Sequence, residues 1–205
     1  IAFTGSRGRG IWAVPARGGK PSLVYDNTGE QPLSGGTLPQ HTPRALSFTP
    51  DGRGITCLRF IPRNSGTGLK KEAEAEGISI TPVIETVSIA TGERKIVAEN
   101  ASDGCWSPDG RYFVYVDGDY YGIGVIDTAT GEWRRISSSG KCPTVTPDGQ
   151  SLIYVDWDIN ATDQLFRAPL TGGKPEQLTF EGIWWNPKCS PDGEWVLSSG
   201  MDLSG

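Results

Sequence analysis

The chain alternates short apolar runs with clusters of turn residues. Residues 112–116 and 152–155 are apolar without interruption, which predicts strands covered on both faces rather than half-buried ones. Between such runs lie pairs of weaker strands around a glycine turn. GIWAVPARGGKPSLVYD (10–26) and DQLFRAPLTGGKPEQLTF (163–180) share an apolar-aromatic strand, a proline, a Gly-Gly-Lys-Pro turn and a second strand. ETVSIATGERKIVAE (85–99) and GIGVIDTATGEWRRIS (122–137) fit the same frame with a single glycine.

A second motif fixes the period. Pro-Asp-Gly after a Ser or Thr occurs at Pro50-Asp51-Gly52, Pro108-Asp109-Gly110, Pro147-Asp148-Gly149 and Pro191-Asp192-Gly193. Each copy follows a bulky or apolar residue two before the proline (Phe48, Trp106, Val145, Cys189) and precedes a β-rich run. Proline fixes φ at the first turn position, Asp bonds back to nearby backbone, and Gly supplies a positive φ. The motif predicts a hairpin connection and gives the four aspartates a structural role. Adding the second strand pair makes one repeat a four-stranded meander of about 40 residues, the unit of a β-propeller.

The fold expected is therefore all-β, a propeller of four-stranded antiparallel blades, about four to five in number with incomplete terminal blades. The strand spacing places blades at 1–40 (partial), 41–100, 101–139, 140–181 and 182–205 (partial) within one array over 1–205. About seventeen strands are expected, between the sixteen of four full blades and the twenty of five. A ring closing with a spare strand, a fragment of a longer propeller, and terminal blades completed by neighbouring chains all accommodate that number. The start at Ile1 without a Met suggests processing or a longer parent. Residues 62–79 interrupt the spacing and are expected to form a solvated loop or a partner-binding insertion. The tryptophans 106, 133, 157, 184, 185 and 195 are assigned to packing between blades.

Trp106-Ser107-Pro108-Asp109-Gly110-Arg111, the aromatic strand behind it, and the Gly-Gly-Lys-Pro turn with Gln177-Leu178-Thr179 resemble the TolB-like, WD-repeat-like β-propeller family along essentially the whole chain. That resemblance implies an extracytoplasmic setting, periplasmic or secreted, and a role in protein–protein interaction.

Composition narrows the chemistry. The 28 glycines and 15 prolines sit in turns at regular intervals, as many short strands require. A net charge of −5 gives no basic face for nucleic acid, and no apolar run reaches the length of a membrane span. Cys57, Cys105, Cys142 and Cys189 form no CxxC or Cys/His cluster, which argues against zinc. Spacing cannot choose among three disulfide pairings, and buried free thiols are the simplest expectation.

No catalytic residue and no cofactor are assigned. His41 is the single histidine, and no Gly-x-Ser-x-Gly elbow accompanies it; a triad needs nucleophile, base and orienting acid. Propeller lyases, by resemblance, use several histidines around a metal. Asp117 and Asp119 recur at matching offsets as Asp156 and Asp158, with Asp202 at the second offset in the last repeat. These carboxylates could hold Ca²⁺ on one rim or simply end strands. Asn100 and Asn160 begin N-x-Ser/Thr sequons in expected loops. The function expected is a non-catalytic scaffold for unidentified protein partners. The alternatives are a structural subunit that polymerises with copies of itself through its terminal half-blades, and a regulatory propeller fragment of a larger peptidase.

Overall fold

The computed structural model describes residues 2–4, 10–26, 44–62, 80–118 and 122–201. His41, Asp119, Asp202 and the 63–79 part of the insertion lie outside them. The described residues contain strands and turns but no helix, and the chain divides into two compact units.

The first unit, Ile1–Phe48 with Gly52–Glu99, holds β1 (Ala2–Thr4), β2 (Gly10–Ala13), β3 (Ser22–Asp26), β4 (Arg44–Phe48), β5 (Gly54–Pro62), β6 (Ile80–Ser88) and β7 (Arg94–Glu99). They form two antiparallel meanders, β1-β2-β3 and β4-β5-β6-β7. Ile11, Val24 and Tyr25 of the first pack with Ile55, Cys57 and Val87 of the second. Into this apolar core β6 carries Glu85, 1 % exposed. Arg59 Nε lies 3.2 Å from Glu85 Oε1 and Arg94 Nε 3.6 Å from Oε2. Arg94 also donates to Tyr25 Oη at 3.0 Å.

The second unit, Thr49–Asp51 with Asn100–Gly205, holds β8 (Ala101–Trp106), β9 (Tyr112–Asp117), β10 (Gly122–Asp127), β11 (Trp133–Ser137), β12 (Lys141–Val145), β13 (Ser151–Trp157), β14 (Asp163–Pro169), β15 (Glu176–Gln177), β16 (Ile183–Cys189) and β17 (Val196–Met201). Its sheets run β8-β9-β10-β11, β12-β13-β14-β15 and β16-β17. The uninterrupted apolar runs of β9 and β13 are buried on both faces: Val114, Val116, Leu152 and Tyr154 share one core with Ile123, Val125 and Ala168, and Phe113, Tyr115, Ile153 and Val155, on the opposite faces, are buried too. Gly104 makes room for Phe113, whose ring would lie 2.7 Å from an added Cβ; Phe113 is wholly buried and meets Trp106 edge-on at 4.9 Å.

The Pro-Asp-Gly turns share one hydrogen-bonded design. Thr146 Oγ1 donates to Asp148 Oδ1 at 2.5 Å and accepts the Ser151 N–H at 3.0 Å. Asp148 Oδ1 accepts the Gln150 N–H at 3.0 Å, and the Gly149 N–H closes the turn on the Thr146 carbonyl at 2.8 Å. Ser107 with Asp109 and Ser190 with Asp192 repeat every one of these bonds, and Thr49 bonds Asp51 in the same way. The hydroxyl before the proline thus links the aspartate to the start of the next strand. Thr146→Val, which deletes a buried hydroxyl with two partners, is expected to lower stability by about 1–3 kcal/mol in denaturant titration.

Gly110 has φ +73°, and its Cβ position lies 3.6 Å from Pro50, the proline of the preceding turn. Gly149 over Pro108 (3.9 Å) and Gly193 over Pro147 (3.7 Å) repeat that stacking. A β-branched residue in this left-handed conformation is strained, so Gly110→Val should destabilise by more than about 1 kcal/mol; unchanged stability would contradict the turn geometry.

The hydroxyl and amide donors hold the carboxyls of Asp109, Asp148 and Asp192 below the ordinary carboxylate range. A depressed folded pKa contributes stability that is complete above the ordinary carboxylate value and is lost as pH falls through the folded one. Acid titration of the wild type should show this loss below about pH 4, and the Asp109→Asn/Asp148→Asn variant should show a shallower one.

Two features depart from the expected packing. Trp133, Trp157 and Trp195 are exposed (47, 61 and 72 %) rather than buried between sheets. The first strand of each four-stranded sheet also bulges, between Arg44 and Ser47, Ala101 and Gly104, and Lys141 and Thr144, and β16 does so between Trp185 and Lys188.

Candidate functional site

At the end of sheet β12–β15 away from its Pro-Asp-Gly turn, two loops meet. One joins β13 to β14 and is organised by Asp158. Its Oδ1 accepts the N–H groups of Asn160 and Thr162, both at 2.9 Å, and its Oδ2 accepts from Asn160 Nδ2 at 3.3 Å. Backbone bonds from Asp158 N–H to the Thr162 carbonyl and from Ala161 N–H to the Asp158 carbonyl, both 3.0 Å, close the loop. These donors keep the Asp158 carboxyl below its usual range. The loop lifts Ile159 into solvent, 99 % exposed.

The second loop joins β15 to β16 and is tied down by Gln164, itself 1 % exposed. Gln164 Nε2 donates to the Gly182 carbonyl at 2.9 Å, and its Oε1 accepts from Thr179 Oγ1 at 2.6 Å. Thr179 Oγ1 accepts the Leu165 N–H at 2.9 Å, and Gln177 Nε2 donates to the Thr179 carbonyl at 2.8 Å. The Gln-Leu-Thr segment is therefore a clamp that holds Phe180, 73 % exposed, against the start of β14. Asp163, opposite Trp157 in the ladder, ties β14 to β12 and β16: its Oδ2 accepts from Lys141 Nζ at 2.8 Å and from Trp185 Nε1 at 2.9 Å.

Trp157, Ile159 and Phe180 are thus exposed at this end of the sheet, on loops held by the bonds of Asp158 and Gln164, while Asp163 Oδ1 is buried without a hydrogen-bond partner. Rigid aromatic and aliphatic side chains over a buried hydrogen-bonded base are the anatomy of a protein-binding hot spot. The sequence pattern assigns Trp157 to packing between blades, which hides this surface. The available signal was an isoleucine between two polar residues, Asp158 and Asn160, just past a strand end.

Pro50, Asp51, Gly52 and their counterparts form the turns at the other end of the sheets, with Gly52 at φ +69°. Asp156 Oδ2 accepts from Ser139 Oγ at 2.8 Å, Asp158 serves its own loop, and Asp117 ends β9. Among the described residues no three His, Cys, Asp or Glu side chains converge as a metal site. Asn100, at φ 52°, accepts the Gly118 N–H on its carbonyl at 2.6 Å, and Asn160 is exposed beside Ile159. The four cysteines are free thiols. Burial pushes Cys57 and Cys105 up to about 12 and raises Cys142 and Cys189, so none is the thiolate that nucleophilic chemistry needs.

No family model and no curated protein matches the sequence. Solved structures do match its fold. TolB from Acinetobacter baumannii superposes with a TM-score of 0.67 at 19 % identity, covering 96 % of this chain and 44 % of that one. Its fold is that of a TolB-like β-propeller. The same propeller fold aligns with an oligogalacturonate lyase from Vibrio parahaemolyticus (TM-score 0.70, 14 % identity, 98 % of this chain and 56 % of that one). It also aligns with a puromycin-hydrolyzing peptidase from Mycobacterium tuberculosis (TM-score 0.66, 14 % identity, 100 % and 36 %). The TolB-like chain spans about half the length of these structures or less. Its four-stranded sheets are blades, and the loops around Ile159 and Phe180 lie at one blade's end.

Proposed function

We propose that this TolB-like propeller is a non-catalytic, extracytoplasmic scaffold, periplasmic or secreted, that binds protein partners through the loops 157–163 and 178–185. The observation that carries the reading is the fixed exposure of Trp157, Ile159 and Phe180 above the Gln164–Thr179 clamp. The engagement of Asp156, Asp158 and Asp163 in structural bonds and the protonated state of the thiols support a binding rather than a catalytic role. The extracytoplasmic setting rests on likeness to TolB. A photo-crosslinking amino acid placed at Ile159 should give discrete protein adducts in an extracytoplasmic extract. The same group at exposed Glu194, near the Pro-Asp-Gly turn, should not. Equal adducts at both positions, or none at Ile159, would remove the reading.

A second reading, self-assembly, is favoured by one observation. Strand β17 pairs only with β16 among the described strands and exposes Leu197 and Met201, and an unpaired edge is a template for another chain. Light scattering decides it: particles near 22.0 kDa exclude polymerisation through that edge, and long regular polymers establish it.

A further inference from the structure

The partner's chemistry can be taken further, on the footing that the 157–163 and 178–185 loops are the binding surface. Residues 156–166 (DWDINATDQLF) and 178–185 (LTFEGIWW) contain Asp156, Asp158, Asp163 and Glu181 but no lysine or arginine. Lys141 of β12 is paired with Asp163. The apolar anchors Trp157, Ile159 and Phe180 thus stand inside a field of one sign. Apolar contact gives such a surface its grip, and the surrounding charge selects the approaching segment and speeds its arrival.

We infer that the surface recognises a protein segment in which large aliphatic residues are flanked by lysine or arginine. The aliphatic side chains cover Trp157, Ile159 and Phe180, and the cations face Asp156, Asp158 and Glu181. The indole of Trp157, 61 % exposed, also offers a face to a cation. Because Asp158 fixes the loop before any partner arrives, little ordering cost attends binding, and side-chain truncations should act on affinity without acting on stability.

The test uses the full chain and labelled peptides followed by fluorescence anisotropy. A peptide of alternating lysine and leucine should bind saturably, and its glutamate–leucine counterpart should not. Raising ionic strength to about 0.3 M should weaken binding several-fold, since exposed charges are screened over a few ångströms there. Ile159→Asp and Trp157→Ala should each weaken it about tenfold or more, with melting temperature unchanged, while Glu194→Ala leaves it intact. Equal binding of a lysine–serine peptide would show charge alone at work and overturn the apolar anchor. Equal binding of the glutamate–leucine peptide would overturn the charge selection. Absence of saturable binding, indifference to Ile159→Asp, or preference for zwitterionic phospholipid vesicles over the peptide would overturn the proposal entirely. If Ile159 still crosslinks to protein while the lysine–leucine peptide fails, the partner chemistry is wrong and the binding surface stands. If the crosslinks fail as well, both fall.

Discussion

Glu85→Ala should destabilise the protein by about 3–5 kcal/mol, the cost of leaving buried countercharges without their partner. The carboxylate is 1 % exposed and accepts charge from two strands, Arg59 on β5 and Arg94 on β7. Those guanidiniums cannot follow water easily, because Arg59 is largely covered and Arg94 is held over the Tyr25 ring at 4.8 Å as well as on its hydroxyl. The Cys57 thiol also points at Glu85 Oε1, 3.9 Å away. The loss should therefore be large although the intact network adds little over an apolar core. That contrast supplies the control: Glu85→Leu with Arg59→Met and Arg94→Met should recover most of the stability lost in Glu85→Ala. A Glu85→Ala variant as stable as wild type in chemical denaturation would mean the carboxylate is not enclosed.

The second large effect is expected at Phe113. Phe113→Ala should cost about 3–5 kcal/mol, as removal of a fully buried ring does when its surroundings cannot collapse. Collapse is blocked here because Phe113 sits in a β ladder against Trp106 and Ile126. The same geometry predicts a coupling. Gly104→Ala alone should be strongly unfavourable, since its Cβ would lie 2.7 Å from both the Phe113 ring and the Val114 carbonyl. In the Phe113→Ala background the ring clash disappears, so the double variant should be less destabilised than the sum of the singles. Strict additivity would contradict the packing of Phe113 on Gly104.

How much of this was legible in the sequence follows from the range of the interactions. The turns were legible because Pro, Asp and Gly act within four residues, and the meander followed from their spacing. The role of the preceding hydroxyl was not, since Thr146 works by bonding Ser151, five residues on. Longer range hid more. Glu85, Arg59, Arg94 and Tyr25 sit on four strands with no motif joining them, so no pattern in the sequence marks the buried ionic network. The bulges of β12 and β16 place Cys142 and Asn186 at φ 53° and 52°, positions that glycine would have announced and these residues conceal. The tryptophans misled because an apolar residue in a strand tells which residues can be covered, not whether a neighbour covers them; Trp157 and Trp195 are left bare. Gln164, Thr179 and Asp163 emerged as a site only once β14, β15 and β16 were brought together.

The surface around Ile159 is held in place by Asp158 and the Gln164–Thr179 clamp in the absence of any partner. Amide hydrogen exchange on the free protein tests this most directly. Asn160, Thr162, Leu165 and Leu178 each donate their N–H to an acceptor of the loop-and-clamp network, so they should exchange far more slowly than unstructured amides, with Leu165 and Leu178 approaching the protection of β13. Exchange of all four at unstructured rates would mean that the loops are not held, and the binding surface described here would not exist in the free protein.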